Sequence, residues 1–208
     1  GRKFAVSIVP ARDYQKLFPV PVMLIKVPNA ASLNEKLVAE IQQVSMTTPN
    51  GKPDSWACDV YTTLTNNNRL HERPGFHDFD LLMRHGFMQF GHAMGYDFTI
   101  ESLEITQCWV NIYNFGMSQE IHHHPNNIMT GVYYLQAPAN CSEILFHSHF
   151  ADVMIRPAVY EDNALNNPIA SLHPKPGDLI FFDSSLRHSV PANDIEGERI
   201  SLSFNARF

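Results

Sequence analysis

The sequence predicts a mainly β fold, a β-sandwich or jelly roll with helices packed on it. Two stretches of helical periodicity occupy the N-terminal half, and the chain beyond residue 98 consists of short β-rich runs separated by turn sequences. Many short strands at fairly regular spacing are typical of a sandwich or jelly roll. Neither GxGxxG nor GxxxxGK(S/T) occurs, so nothing in the sequence supports a nucleotide-binding parallel sheet.

Composition restricts the class of protein further. The chain has 208 residues and a formal net charge of −6, and only 17% of its residues are charged, against a usual fraction of about 25%. An acidic chain without a basic block is not expected to bind nucleic acid or an anionic membrane. The apolar runs are too short for a membrane span, and no signal-like segment opens the sequence.

Length and cysteine usage predict one cytoplasmic domain. A chain of this length is expected to form a single unit, here residues 1–208, with 1–97 as helical and strand support and 98–208 as the β core. The cysteines are odd in number, widely spaced and without a CxxC pair, which favours buried or free thiols in a reducing compartment. They are Cys58, Cys108 and Cys141.

The N-terminal half is predicted to hold one strand and two helices. Pro19–Val27 is apolar and β-rich, which indicates the first strand. Ser32 and Glu35 form a capping box, which predicts the start of a helix. Residues 49–75 are expected to be loops, and His77–Met94 has helical spacing that Gly86 and Gly91 weaken. The apolar face of the first helix is predicted to be Leu33, Leu37, Val38, Ile41 and Val44.

The C-terminal half is predicted to supply the strands of the core. The turns between them are marked by Gly, Pro, Asn and Asp. The predicted strands are Phe98–Tyr113, Ile128–Gln136, Glu143–Phe146, Val153–Ile155, Asp178–Phe182, Arg187–Val190 and Ile200–Arg207.

Histidine is the unusual component, because 11 are present and three of them are consecutive. In an extended chain alternate side chains share a face, so His122 and His124 are expected to point together and His123 away. Two imidazoles make half of a metal site, and His188 at the start of a late β run is the best third ligand. Imidazole ligands without thiolates suit iron(II) or another divalent first-row metal. The alternative is a solvated histidine loop or a helix cap.

The last strand carries a second polar pattern. Arg199, Ser201 and Ser203 are expected to share one face, and the apolar residues between them the other. An arginine on the inner face of a sandwich needs a partner, because a buried unpaired charge is costly. A carboxylate ligand would supply one, since guanidinium binds carboxylate bidentately. The alternative is an arginine at the surface.

These motifs together resemble the iron(II)- and 2-oxoglutarate-dependent oxygenases, whose core is a double-stranded β-helix, or cupin-like jelly roll. The similarity is greatest to a family of bacterial and phage oxygenases with H-x-H-P, G-V-Y-Y-L and R-I-S-x-S-F-N in this order. The corresponding segments here are His122–Pro125, Gly131–Leu135 and Arg199–Asn205. A phage origin would put the protein in the host cytoplasm.

The resemblance implies a role for each matching residue. His122 and His188 would be iron ligands, and His124 stands where most of the superfamily has Asp or Glu. Arg199 would bind the far carboxylate of 2-oxoglutarate, helped by Ser201. The implied cofactor set is iron(II), 2-oxoglutarate and O2. Tyr113 and Tyr134 are placed like two co-substrate tyrosines of the prolyl-hydroxylase branch, whereas Tyr133 is expected to pack in the core.

The implied activity is hydroxylation of an unidentified substrate, a peptidyl proline, another protein side chain or a small molecule. Asp152 and Asp183 remain alternatives for a carboxylate ligand. Two other functions stay open, a cupin-like three-histidine enzyme that does not use 2-oxoglutarate and a non-catalytic jelly-roll binding module. Further candidates for the pocket and its mouth are His147, His149, Trp109, Phe115 and the loop 156–170.

Overall fold

The computed structural model describes residues 13–14, 16–149, 155 and 157–208. Within these ranges the chain forms ten strands and two α-helices, α1 (Ala30–Thr47) and α2 (His77–Ala93), with short 3₁₀ helices at Leu70–Glu72 and Pro74–Phe76. The strands are β1 (Val22–Lys26), β2 (Tyr61–Thr62), β3 (Glu104–Tyr113), β4 (Gln119–His122), β5 (Met129–Gln136), β6 (Ile144–His147), β7 (Ile169–Leu172), β8 (Asp178–Asp183), β9 (His188–Val190) and β10 (Arg199–Arg207).

The strands form two antiparallel sheets that face each other. The larger has the order β1-β8-β5-β10-β3-β2, and the smaller has the order β4-β9-β6-β7. Side chains from both sheets line a shared interior, for example Tyr134 and Ser201 from the larger sheet and His188 from the smaller. The predicted jelly-roll core is therefore confirmed. The division into one domain with a support and a core stays a prediction.

Several strand predictions need correction. β3 starts at Glu104 and not at Phe98, because Thr99 and Ser102 exchange side-chain and backbone hydrogen bonds that form a turn. β2, β4 and β7 are strands that the sequence did not predict; each is short, with two to four residues. The predicted strand Val153–Ile155 and the candidate ligand Asp152 lie outside the described residues, except for Ile155 itself.

Helix α1 is present, but the predicted capping box is wrong. The helix starts at Ala30, so Ser32 lies inside its first turn and cannot cap it. The N-cap is Asn29, which has a φ of 53° and makes no side-chain cap bond. Asparagine tolerates this left-handed backbone better than most residues, and the chain enters the helix directly from β1 through this residue.

Helix α2 ends one residue before the predicted end and contains both glycines. Gly86 lies against the ring of Phe181 in β8, and a Cβ at this position would overlap that ring. Gly91 has the same relation to Phe98. The glycines that weaken the sequence pattern of a helix therefore allow its close approach to neighbouring aromatic rings. None of the helices in the described ranges combines the length and apolar character that a membrane span requires.

The main apolar core lies between the helices and the outer face of the larger sheet. Phe204 of β10 makes edge-on ring contacts with Phe79 and Phe87 of α2 and with Phe181 of β8. Ile200 and Leu202 lie on the same face and are also buried. The opposite face of β10 turns toward the interior of the jelly roll, where Arg199, Ser201 and Ser203 line a pocket.

Candidate metal centre

Three histidines meet at one end of the jelly-roll interior. His122 ends β4 and His188 begins β9, and the two residues pair directly in the antiparallel register of the smaller sheet. His124 follows two residues after His122 and is buried, whereas His123 between them is exposed. One ring nitrogen from each of the three imidazoles lies within 4.8 Å of the others. The predicted alternation along this segment is therefore present, although β4 itself ends at His122.

Backbone carbonyls orient two of these imidazoles. Nδ1 of His122 lies 2.8 Å from the Glu120 carbonyl oxygen, and Nδ1 of His188 lies 2.9 Å from that of Leu186. Each Nδ1–H therefore donates, which leaves Nε2 as the free ligating atom, as in many metal-binding histidines. Nε2 of His188 lies 3.2 Å from Nε2 of His124. Two nitrogens bound at right angles to one metal ion at about 2.1 Å are separated by about 3 Å.

Burial keeps the three imidazoles neutral. Desolvation lowers the pKa of all three histidines, of His124 to about 3 and of His188 well below its ordinary value. His122 also disfavours a charge on His124 and on His188, and His124 disfavours one on His188. A neutral imidazole is the form that binds a metal ion.

Neighbouring residues hold His124 in position. Its backbone N–H donates to the Ser184 carbonyl at 2.9 Å, and its ring stacks on Trp109 with 5.5 Å between ring centroids. Burial lowers the pKa of His124, and the Asn205 side chain partly opposes this effect. Asn205 is itself fixed, because its Oδ1 accepts from Thr130 at 2.8 Å and its Nδ2 donates to Gln107 at 3.0 Å.

Arg199 lies deeper in the same interior and is only 1% exposed. It pairs with Tyr113 in the strand register, and Ser201 pairs with Tyr134, so the two tyrosines flank it. The guanidinium carbon is 4.8 Å from the Tyr113 ring centre and 5.1 Å from that of Tyr134. Burial raises the pKa of each tyrosine to about 12, with partial opposition from Arg199. Both hydroxyls are therefore protonated and can donate hydrogen bonds.

The pocket holds more polar groups than the protein itself satisfies. Within the described part of the chain, no carboxylate forms an ion pair with Arg199, and its Nε has no hydrogen-bond partner. Tyr134 Oη and Gln119 Nε2 are buried and also lack partners there. An unpaired buried cation beside unpaired donors is costly unless an anion completes it. A ligand with a carboxylate fits this end of the pocket, and a metal ion fits the histidine end.

The alternative ligand candidates lie elsewhere. The Asp183 carboxylate accepts from the Ser185 backbone N–H at 2.8 Å, which is the turn role of an aspartate after a strand. Nε2 of His147 lies 2.8 Å from Ser189 Oγ, so this histidine is a satisfied polar side chain. His149 and Phe115 are exposed. Trp109, in contrast, lines the pocket.

The sequence pattern did not identify the residues that the loop before β2 contributes. The Glu120 carboxylate accepts from the backbone N–H of Ala57 at 3.0 Å and of Cys58 at 2.9 Å. This clasp holds Trp56 against His122, with 6.1 Å between ring centroids. Glu120 and this loop are about 60 residues apart in the chain, so no local spacing could indicate the contact.

The fold and the site define a class of protein, a jelly roll with three imidazoles at one end of its interior and a buried arginine behind them. Residues 107–205 match the model of the family described as "Putative 2OG-Fe(II) oxygenase". This stretch includes every site residue that the motif resemblance implied. No curated protein matches the chain.

Solved structures share the fold. A Pseudomonas putida prolyl-4-hydroxylase has a TM-score of 0.62 and 14% identity, covering 90% of this chain and 92% of that chain. A viral collagen prolyl hydroxylase of Paramecium Bursaria Chlorella virus-1, in a 2-oxoglutarate complex, has a TM-score of 0.58 and 15% identity over 89% and 95%. HygX from Streptomyces hygroscopicus, with nickel and 2-oxoglutarate bound, has a TM-score of 0.60 and 11% identity over 90% and 82%. At these identities the likeness establishes the fold alone.

Over residues 107–205 the chain is similar to the family of iron(II)- and 2-oxoglutarate-dependent oxygenases, and this match confirms the resemblance predicted from the motifs. The protein is therefore an enzyme of that class, and its cofactor set is iron(II), 2-oxoglutarate and O2.

Proposed function

We propose that the protein is a dioxygenase that hydroxylates a protein side chain, with a peptidyl proline as the first candidate, and that His122, His124 and His188 hold its iron(II). The observation that carries the proposal is the continuity of the pocket, which reaches from the three imidazoles to Arg199. A metal ion and a short dicarboxylate would each find their partners at the two ends of this pocket.

The proposed roles follow from the hydrogen bonds of each side chain. The Glu120 and Leu186 carbonyls fix the rings of His122 and His188 through Nδ1, so that Nε2 of each would be free to hold the ion. Arg199 binds the far carboxylate of 2-oxoglutarate through its planar donors, and Ser201, Tyr113 and Tyr134 donate to the same region. Bound iron(II) with 2-oxoglutarate supplies the activation of O2 for hydroxylation.

The histidine at position 124 sets this site apart from the usual pattern with one carboxylate. A neutral imidazole does not offset the charge of the ion, so the site is more positive by one charge than a site with two histidines and a carboxylate. A more positive site attracts the dianionic co-substrate more strongly.

The proposal for the substrate is supported by the tyrosine pair and by the comparisons. Tyr113 and Tyr134 flank Arg199, in the arrangement that the resemblance to prolyl hydroxylases implies. Two of the similar structures are, by their own descriptions, a prolyl-4-hydroxylase and a collagen prolyl hydroxylase.

The test is anaerobic loading with iron(II), followed by titration with 2-oxoglutarate while the weak visible charge-transfer band of the chelate is recorded. We expect the band in the unaltered protein. In Arg199→Ala we expect iron to stay bound and 2-oxoglutarate affinity to fall by roughly 30-fold or more, since truncating one partner of a buried charge pair costs about 2–5 kcal/mol. His124→Ala should lose iron. Arg207→Ala is the matched control, because Arg207 lies on the same strand but pairs with Glu104 at the surface.

The other outcomes identify the alternative functions. Iron retention without any 2-oxoglutarate band would favour the cupin-like three-histidine enzyme. If the protein binds neither iron nor 2-oxoglutarate at neutral pH, the proposal is wrong and a jelly-roll binding module becomes the better hypothesis. If the band is present, hydroxylation of proline-containing peptides is measured next, by mass spectrometry.

A further inference from the structure

A second depression, the tryptophan groove, opens beside the metal centre and has His122, His123 and His124 in its lining. Its walls include Trp56 and Trp109, with Leu64 and Pro125 as further apolar surface. The chain has only two tryptophans, so both lie at this groove. Trp109 is only 3% exposed, so the half-buried Trp56 offers most of the aromatic surface, of the kind that binds apolar rings and chains.

The lining of the groove includes the amide side chains of Asn68 and Gln107. Asn68 uses its Nδ2 to bind the Leu64 carbonyl at 2.9 Å, and Gln107 uses its Oε1 to accept from Asn205 at 3.0 Å. No hydrogen bond among the described residues uses the other polar atom of either side chain, Asn68 Oδ1 or Gln107 Nε2. The two residues are neighbours, because the Cys108 backbone N–H donates to the Asn68 carbonyl at 2.7 Å. Such a pair is the complement of a peptide group, which offers one N–H and one C=O.

The groove is also uncharged. Its lining, as far as the structure describes it, includes no Asp, Glu, Lys or Arg. A charged side chain bound there would lose hydration and find no counter-ion, whereas an uncharged one would not incur this cost. The absence of charge therefore selects against acidic and basic segments.

One wall of the groove is fastened to the metal centre. Glu120 clasps the loop that carries Trp56 through two backbone N–H groups, and its own carbonyl orients His122. The distance between the tryptophan wall and the imidazoles is thus fixed by one residue. A substrate segment seated against Trp56 would lie at a set position relative to the ion.

We propose that the tryptophan groove binds an uncharged peptide segment of the substrate, with one backbone peptide group on Asn68 and Gln107 and an apolar side chain against Trp56. The inference rests on the proposed function, since it names the substrate class of the same site. Asn68 and Gln107 are the residues that determine specificity, and Glu120 is a positioning residue.

The test uses tryptophan fluorescence, because both tryptophans lie at the groove. The protein is loaded with Zn²⁺, which has no redox chemistry, and with 2-oxoglutarate, and is then titrated with capped proline-containing peptides of equal length. The residues flanking the proline are Ala and Asn in one peptide, Lys in the second and Asp in the third. We expect the uncharged peptide to change the emission at lower concentration than either charged peptide.

Gln107→Glu gives a sharper test, because it keeps the oxygen that accepts from Asn205 but removes the free donor and adds a negative charge. This variant should bind the uncharged peptide roughly five-fold more weakly, because one hydrogen bond is lost. It should also prefer the Lys-flanked peptide. Gln89→Glu adds the same charge on the exposed face of α2 and should leave the preference unchanged.

Three results would overturn the proposal. The first is equal binding of the three peptides, and the second is no change in emission with any peptide. The third is a change in emission with a neutral oligosaccharide but not with the peptides. Failure of the proposed function has a different signature, namely no visible band with iron(II) and 2-oxoglutarate, and the zinc titration does not depend on that band.

Discussion

The two faces of β10 differ in what their side chains do. On one face Ile200, Leu202 and Phe204 are buried under the helices in an apolar core, where each contributes by area removed from water. On the other face Arg199 and Ser201 lie in a pocket with unpaired polar atoms. One face is complete without a ligand and the other is not. Stability and function are thus divided by the two-residue period of a single strand.

Phe204→Ala on the apolar face should have the largest effect on stability. The ring is fully buried and contacts three other aromatic rings, so its removal leaves a cavity and should cost about 3–5 kcal/mol of unfolding free energy. Ser203→Ala on the other face is the matched control. It removes one hydrogen bond, from Asn111 Nδ2 at 3.1 Å, and should cost about 1 kcal/mol. Equal shifts of the urea midpoint for the two variants would contradict the division between the faces.

Gly86→Ala should have an intermediate effect and tests how closely α2 approaches the apolar face. The added Cβ overlaps the Phe181 ring, which Phe87 and Phe204 hold in place. Overpacking of this kind costs about 1–3 kcal/mol, more than the gain in helix propensity of up to about 1 kcal/mol. His85→Ala, at an exposed position of the same helix, is the control, because it gains helix propensity without overlapping a neighbouring ring. A stabilised Gly86→Ala variant would show that the contact is looser than described.

Gly86 also marks the limit of what the sequence could predict. The period of β10 and the shared face of His122 and His124 follow from local alternation, whereas the roles of His188 and Arg199 were predicted from the resemblance to the oxygenase family. The need for glycine at position 86 depends on Phe181, which is 95 positions away in the chain, and the clasp of Glu120 on the Trp56 loop depends on a contact of similar range. Short-range sequence patterns cannot predict contacts between residues so far apart in the chain.

The capping box illustrates the reverse error. Ser32 and Glu35 have the right spacing, but spacing alone does not fix where a helix starts. The connection from β1 does, because Asn29 takes a left-handed backbone that brings the chain straight into α1. β2, β4 and β7 were missed for a related reason. They are short, and their partner strands define them more than their own composition does.

Two adjacent tyrosines of β5 test the same difference between the apolar face and the pocket face, with smaller expected effects. Tyr133 faces the helices and donates to Asn34 Oδ1 at 2.6 Å, so Tyr133→Phe should cost about 1 kcal/mol of stability and leave 2-oxoglutarate binding unchanged. Tyr134 faces the pocket, and its hydroxyl has no partner among the described residues. Tyr134→Phe should leave the stability of the ligand-free protein equal or higher. It should also weaken the binding of 2-oxoglutarate by about five-fold, which corresponds to the loss of one hydrogen bond. Urea unfolding and 2-oxoglutarate titration of both variants measure the two effects, and the same pattern in both variants would refute the assignment.

The smallest expected effect is a change in the pH dependence of stability, and it involves the supporting side of the molecule. Burial lowers the pKa of His71, against the opposing charge of Asp80; Arg69 and Arg84 lower it further, Glu72 raises it, and the neutral thiol of Cys108 lies nearby. The unfolded chain, with an ordinary histidine pKa of about 6.5, therefore binds more protons than the folded protein as the pH falls below that value. Stability due to His71 is present above about pH 6.5 and is lost on acidification.

His71→Asn should accordingly flatten the decline of unfolding free energy between neutral pH and about pH 5, while the same change at exposed His85 should not. Metal-free protein is the material for this comparison, since the three imidazoles of the metal centre then contribute equally to both variants and cancel in the difference of slopes. An unchanged slope in His71→Asn would mean that Asp80 compensates the burial of His71 fully. The acid sensitivity of the ligand-free fold would then arise on the polar side of the molecule, at the metal centre itself.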